Sequence, residues 1–135
     1  MHLLECDEFF VPPLSRRIDI RKYSKKLSEM SLTFEAWADN ILTGLLAAYF
    51  ENHLGFISNV SVINEYRGVG IASELINNCI EYAKHNKIEE VRLIVHKDNH
   101  SAIKLYTKNG FRNLADNGDE TLMHRMCPQP SIRRA

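Results

Sequence analysis

Leu32, Phe34, Ala36 and Ala38 alternate with Thr33, Glu35 and Trp37, the period of two expected of a strand with one buried face. Asp39-Asn40 then reads as a tight hairpin turn and Ile41 to Phe50 as the returning strand, in which Gly44 marks a bulge or a close packing approach. Glu51 to His53 close that strand, and a β-branched run follows from about Phe56 through Ile57, Val60, Val62 and Ile63 until Asn64-Glu65 break it. The period then lengthens. Ile71, Ala72, Leu75, Ile76, Cys79, Ile80 and Ala83 recur every three or four residues, which predicts a long helix with one buried face. Lys84 to Lys87 end it with the positive charge that suits a helix C-terminus. Val91, Leu93 and Val95 form the next strand, and Ser101 to Asn109 a short helix stopped by Gly110. Phe111 to Leu114 and Glu120 to Met126 read as a final strand pair around the turn-rich Ala115 to Asp119. At the N-terminal end, Pro12 and Pro13 impose a rigid extended turn. Ile18, Ile20, Tyr23, Leu27 and Met30 then make an incomplete stripe on a basic helix predicted from about Ile18 to Met30. Pro128 to Ala135 is expected to be a frayed tail.

Gly68 and Gly70 sit where the β-branched strand gives way to the long helix. A helix start carries unpaired backbone N–H groups and a partial positive charge, and glycines let a bulky anion come close to them. The junction is therefore a phosphate seat. A P-loop would need Gly-Lys-Ser/Thr, and no lysine follows Gly70. A dinucleotide fingerprint would need a third glycine where Ser73 stands and an acid ending the next strand, whereas Glu89 and Glu90 precede that strand. The remaining pattern is Arg-x-x-Gly-x-Ala, which Arg67, Gly70 and Ala72 satisfy.

Val62 to Ala72 (Val-Ile-Asn-Glu-Tyr-Arg-Gly-Val-Gly-Ile-Ala) and, further on, Asn99 to Phe111 resemble, in that order, the two signatures of the GNAT acetyltransferase superfamily. The resemblance covers roughly Ser31 to Met126. It implies an α/β (α+β) fold: a mixed, largely antiparallel sheet with helices on both faces and a splayed central strand pair, one strand-helix-strand crossover being parallel. Acetyl-coenzyme A is the implied acyl donor. Its pyrophosphate would lie on Arg67, Gly68, Val69, Gly70, Ile71 and Ala72, and its pantetheine amides would pair with backbone groups of Val60 and Val62 in the gap between splayed strands. Asn99 is a helix N-cap, a coenzyme contact or both. Tyr106, one turn after Ala102, is either a core aromatic or, as the resemblance implies, the general acid that protonates the departing thiolate. The chain departs from the family where a glutamate is common, having Ser58 and Asn59 there and Ile94 at a second usual acidic position. Glu35, Glu51, His53 and His96 are left as candidate bases, or ordered water serves instead. The family's opening strand is missing, truncated or irregular in this sequence.

Composition narrows the partners. The 135 residues make a single domain with 44% hydrophobic content, and 17 basic residues balance 17 acidic ones. A net charge of zero supplies no long-range field for nucleic acid or an anionic membrane. No run approaches the ~20 apolar residues of a spanning helix, and Cys6, Cys79 and Cys127 lack Cys-x-x-Cys spacing, so a reducing cytoplasm is expected. His96 and His100 straddle a strand-to-helix junction rather than sharing a helix face, so no metal is expected. The resulting expectation is an N-acetyltransferase acting on a small-molecule amine by direct attack in a ternary complex, with room for a homodimer. An amino sugar or nucleotide-linked amino sugar is one acceptor, its phosphate meeting Arg16 or Arg17. The alternative is a non-catalytic acyl-coenzyme A sensor on the same fold.

Overall fold

The computed structural model of the chain describes residues 19–24 and 31–128. Its strands are β1 (Asp19–Ser24), β2 (Ser31–Ala38), β3 (Ile41–Glu51), β4 (Leu54–Val62), β5 (Glu90–His96), β6 (Arg112–Asn117) and β7 (Glu120–Met126), and its helices are α1 (Ile71–His85) and α2 (His100–Lys108). The strands form one seven-stranded sheet in the order β1-β2-β3-β4-β5-β7-β6. Only β4 and β5 run parallel, joined through α1 as the alternation of periods requires. A short 3-10 turn, Asn64–Tyr66, connects β4 to the glycine loop.

Two hairpins owe their sharpness to residues that tolerate left-handed backbone. Asp39 and Asn40 have φ of 49° and 68°, and Asn52 and His53 have 50° and 70°, the both-positive geometry whose twist matches that of antiparallel strands. The segment expected to be a basic helix differs. Asp19–Ser24 is a strand paired with β2 from Asp19↔Trp37 to Ser24↔Leu32. The edge of β2 offers these residues a complete hydrogen-bond ladder, which outweighs the incomplete helical stripe. Residues 25–30 of that expected helix, the Pro-Pro turn and the expected frayed tail beyond Pro128 lie outside the described residues.

The core forms where α1 crosses the sheet. Leu75, Ile76, Cys79, Ile80 and Ala83 are fully buried against Phe34, Leu46, Ala48, Ile57 and Leu93. Each large aliphatic side chain removed from water in this way contributes about 1.5–3 kcal/mol. Tyr82 closes the end of this layer with its ring 5.0 Å from that of Phe50 and 6.1 Å from that of Phe34. Pairing carries the same face from Ala48 through Ile57 and Leu93 to Met123, and Met123 lines a hollow with Ile103 of α2. Both described helices therefore share one face of the sheet.

Gly44 lies in the centre of this interface. A β-carbon there would stand 2.9 Å from Cγ2 of Ile71 and 3.2 Å from Cδ1 of Leu75, so its absence is what lets the first turns of α1 approach β3. The neighbouring bulge is real too, since Ala36 pairs with Gly44 and Trp37 with Leu42, leaving Thr43 as the extra residue. The buried Thr43 hydroxyl donates to the Ala36 carbonyl at 3.0 Å, supplying the partner that the bulge removes from the ladder. Replacing Gly44 by Val is expected to cost about 1–3 kcal/mol through overpacking. Urea unfolding should show a lower midpoint with an unchanged slope, and a midpoint equal to wild type would show that α1 does not depend on this close approach.

Candidate functional site

The site begins at a break in the sheet. β4 pairs with β5 from Leu54↔Glu90 to Ile57↔Leu93 and no further, although both strands continue, to Val62 and His96. Ser58, the next residue of β4, is an extra one in the pairing with β3, since Ala48 faces Ile57 and Ala47 faces Asn59. Its hydroxyl donates to the Ala47 carbonyl at 3.3 Å. A bulge bends its strand and raises its twist, and here it does so at the first position where β4 leaves β5. Beyond it the two strands are not paired with each other. The N–H of Ile63 donates to the Thr43 carbonyl at 3.0 Å, so Ile63 turns its backbone groups toward β3. Strand alternation then turns those of Val62 and Val60 into the gap.

At the far end of β4 the chain enters the glycine loop. Gly68 and Gly70 have φ of 84° and 91°, and a β-carbon on either would meet no atom within 4 Å. Their glycine identity is thus demanded by backbone conformation, while the space above them is kept open by the protein itself. Gly70 is the N-cap of α1 and has no side chain to accept from the first-turn N–H groups. By contrast α2 is capped in the ordinary way, the Asn99 side chain accepting from the N–H of Ala102 at 3.2 Å. One helix start is closed by a side chain and the other is left open to an anion. Arg67 braces the loop, its Nε donating to the Val62 carbonyl at 3.0 Å.

The opposite wall is α2. Asn109, just past its end, donates from Nδ2 to Ser73 Oγ at 3.1 Å and to the Leu105 carbonyl at 2.9 Å, and its own carbonyl accepts from Arg125 at 3.2 Å. This ties the last turn of α2 to the first turn of α1 and to β7. Between the walls lies a cleft of about 580 Å³. Its lining contains Val60, Val62, Arg67, Gly68, Gly70, Ile71, Ala72, Asn99 and Tyr106, so the residues singled out in the sequence are brought together with one exception. Val69 is not in the lining, and its side chain is exposed. Ser61, Tyr66, Ser73, Ser101, Ala102, Leu105 and Lys108 complete the lining and were not foreseen. Ala102 stands one turn before Tyr106, so helical spacing carried the signal for it, whereas Leu105 and Lys108, one residue before and two after, carried none.

Tyr106 has its ring 6.0 Å from that of Phe111, packed at the edge of the core. Burial disfavours the phenolate and pushes its pKa above the usual tyrosine value, so the hydroxyl keeps its proton at neutral pH. No carboxylate is in the cleft lining. Glu51 and His53 stand beside the start of β4, at the opposite end of the strand from the gap, and His53 is held by the Lys87 carbonyl at 2.7 Å. Both oxygens of Glu35 are engaged, by Trp37 Nε1 at 3.0 Å and the Thr33 hydroxyl at 3.3 Å. His96 is at the gap end of β5 but accepts from the Asp98 N–H at 3.1 Å and is not in the lining. Burial, and then the neighbouring Cys127, push the Cys79 thiol up to about 12, which removes it as a nucleophile.

The sequence model described as the Acetyltransferase (GNAT) family matches residues 1–111. The uncharacterised N-acetyltransferase YobR of Bacillus subtilis is 34% identical over 83 residues, 62% of this chain and 34% of that protein. The N-alpha-acetyltransferase MAK3 of Arabidopsis thaliana is 42% identical over 57 residues, 42% of this chain and 30% of that protein. The matched part thus spans about a third of the length of these curated relatives. Among solved structures, the PaiA N-acetyltransferase of Thermoplasma acidophilum in complex with coenzyme A superposes with a TM-score of 0.69 at 26% identity, over 71% of this chain and 60% of that one. The IAA acetyltransferase of Bacillus cereus gives a TM-score of 0.71 at 18% identity, over 82% and 99%, a likeness of fold alone.

The environment of Tyr106 can be measured directly. Subtracting the tyrosinate absorbance titration of Tyr106→Phe from that of the wild type should leave a component with its midpoint above the ordinary ~10. Because the folded value is raised, the stability linked to this group is present below the unfolded value and is lost as pH climbs through the folded one. A difference component at or below the ordinary value would show that the hydroxyl is solvated rather than shielded.

Proposed function

The chain belongs to the Acetyltransferase (GNAT) family, and from that premise we propose that it is an acetyl-coenzyme A-dependent N-acetyltransferase acting on a small amine. The observation that carries this reading is the conjunction, in one cleft, of an uncapped helix start above two open left-handed glycines with a strand edge left unpaired. The two halves suit one elongated molecule with an anionic end and an amide-bearing arm. N–H groups of the loop and of the first turn of α1, with Arg67 beside them, would hold the pyrophosphate. Backbone groups of Val60 and Val62 would pair with the amides as an added strand, and Asn99 borders the same cleft while capping α2.

Acetyl-coenzyme A would supply an activated acetyl thioester whose thiolate must leave. Tyr106 holds a proton on its hydroxyl at neutral pH and borders the cleft, so we assign it the protonation of that thiolate. The attacking amine must shed a proton as its nitrogen bonds the acetyl carbon, and with no carboxylate in the lining we assign that transfer to ordered water rather than to Glu35, Glu51, His53 or His96. The names of the relatives support an amine acceptor. Arg16 and Arg17, expected to meet a phosphate on an amino-sugar acceptor, lie outside the described residues. The carboxylate-free lining is also what favours the second reading, a non-catalytic acyl-coenzyme A-binding module. No helix of the described residues is long and apolar enough to cross a membrane.

Release of free thiol during incubation with acetyl-coenzyme A and mixed amines tests the proposal, and binding without release would select the second reading. Gly70→Glu should abolish coenzyme binding in calorimetric titration, because the side chain fills the open space and repels the pyrophosphate. Undiminished affinity in the folded variant would remove the phosphate seat. Tyr106→Phe should lower kcat by roughly 10²-fold with little change in coenzyme affinity. Wild-type turnover, measured where chemistry limits the rate, would leave Tyr106 as a core aromatic.

A further inference from the structure

The cleft is electrostatically one-sided although the chain as a whole is neutral. Its lining contains two cations, Arg67 and Lys108, and no carboxylate. They stand on opposite walls with different commitments. Arg67 spends Nε on the Val62 carbonyl and belongs to the loop beneath the open helix start. Lys108, in the last turn of α2, makes no ion pair or hydrogen bond among the described residues. The Asn109 to Ser73 bond, one residue further on, fixes this turn of α2 beside the first turn of α1. Asn99, at the other end of α2, follows β5 out of the strand gap. The helix thus runs the length of the cleft, with Lys108 at the end where the phosphate seat lies.

The nucleotide end of coenzyme A carries two separate anions, the pyrophosphate and a 3′-phosphate on the ribose. The helix start and loop account for the first. We infer that Lys108 reads the second, making it the residue by which this cleft prefers the 3′-phosphorylated coenzyme to its dephospho form. The inference rests on the coenzyme-binding reading above and deepens it. An ammonium on a four-carbon stem suits this task, since it approaches a mobile phosphate as a point charge without needing a fixed fork geometry.

The experiment is a calorimetric comparison of coenzyme A with 3′-dephospho-coenzyme A on the wild type, Lys108→Ala, Lys108→Arg and Lys104→Ala. Lys104 lies one turn earlier on the same helix and is outside the lining, so its replacement controls for loss of a positive charge. At low salt the wild type should prefer coenzyme A by about two- to fivefold, the scale of one exposed charge contact. That preference should shrink as salt is added. Lys108→Ala should bring the ratio close to one while leaving the affinity for the dephospho form unchanged, and Lys108→Arg and Lys104→Ala should keep the ratio. A preserved ratio in Lys108→Ala overturns the inference, and so does an equal loss for both ligands, which would place the lysine on the pyrophosphate or in the fold. Failure of the wild type to bind either ligand would overturn the coenzyme-binding reading itself and this inference with it.

Discussion

β4 parts from β5 at a single surplus residue. Parallel neighbours hold each other through evenly spaced hydrogen bonds, and nothing in the apolar faces of these two strands requires them to part. The break begins at Ser58, where β4 carries an extra residue against β3 and the bend and added twist of a bulge turn the strand away from β5. The cost of the break is local, since the Ser58 hydroxyl engages the Ala47 carbonyl. What the break exposes is a length of backbone with hydrogen-bonding capacity in search of a partner.

The walls of the opening are set by contacts of different kinds. The helix α1 is placed by apolar burial and by the missing side chain of Gly44, while α2 is anchored by the polar contacts of Asn109. Apolar packing tolerates small adjustments that a bonded side-chain amide does not, so the approach of the two helices is fixed most firmly at the outer end of the cleft. At the inner end the shape follows from the divergence of strands. A cleft bounded in this way is formed before any ligand enters it, which limits the ordering cost of binding.

Much of this was legible in the sequence. The switch of period from two to nearly four around Gly68 and Gly70 located the loop, and two separated signatures brought Arg67, Asn99 and Tyr106 to one cleft. The bulge at Ser58 was not legible, because its signal is a mismatch of register between two strands and neither strand shows it alone. Asp19–Ser24 was misread for a related reason, since its sequence carries a helical stripe and only the free edge of β2 selects the strand. The outward turn of Val69 likewise depends on the path of the whole chain. Ser73 and Asn109 were missed because a polar contact between residues far apart in sequence leaves no periodic trace.

The bare N-cap of α1 has an energetic consequence for the empty protein. A serine or aspartate in such a position is worth a few tenths of a kcal/mol more than glycine, and Gly70 forgoes that increment. The resting fold is therefore less stable than its own architecture would permit, by an amount concentrated on a few N–H groups. Any anion that satisfies those groups restores the deficit and is favoured in proportion, so ligand occupancy and resistance to unfolding become two readings of one set of hydrogen bonds.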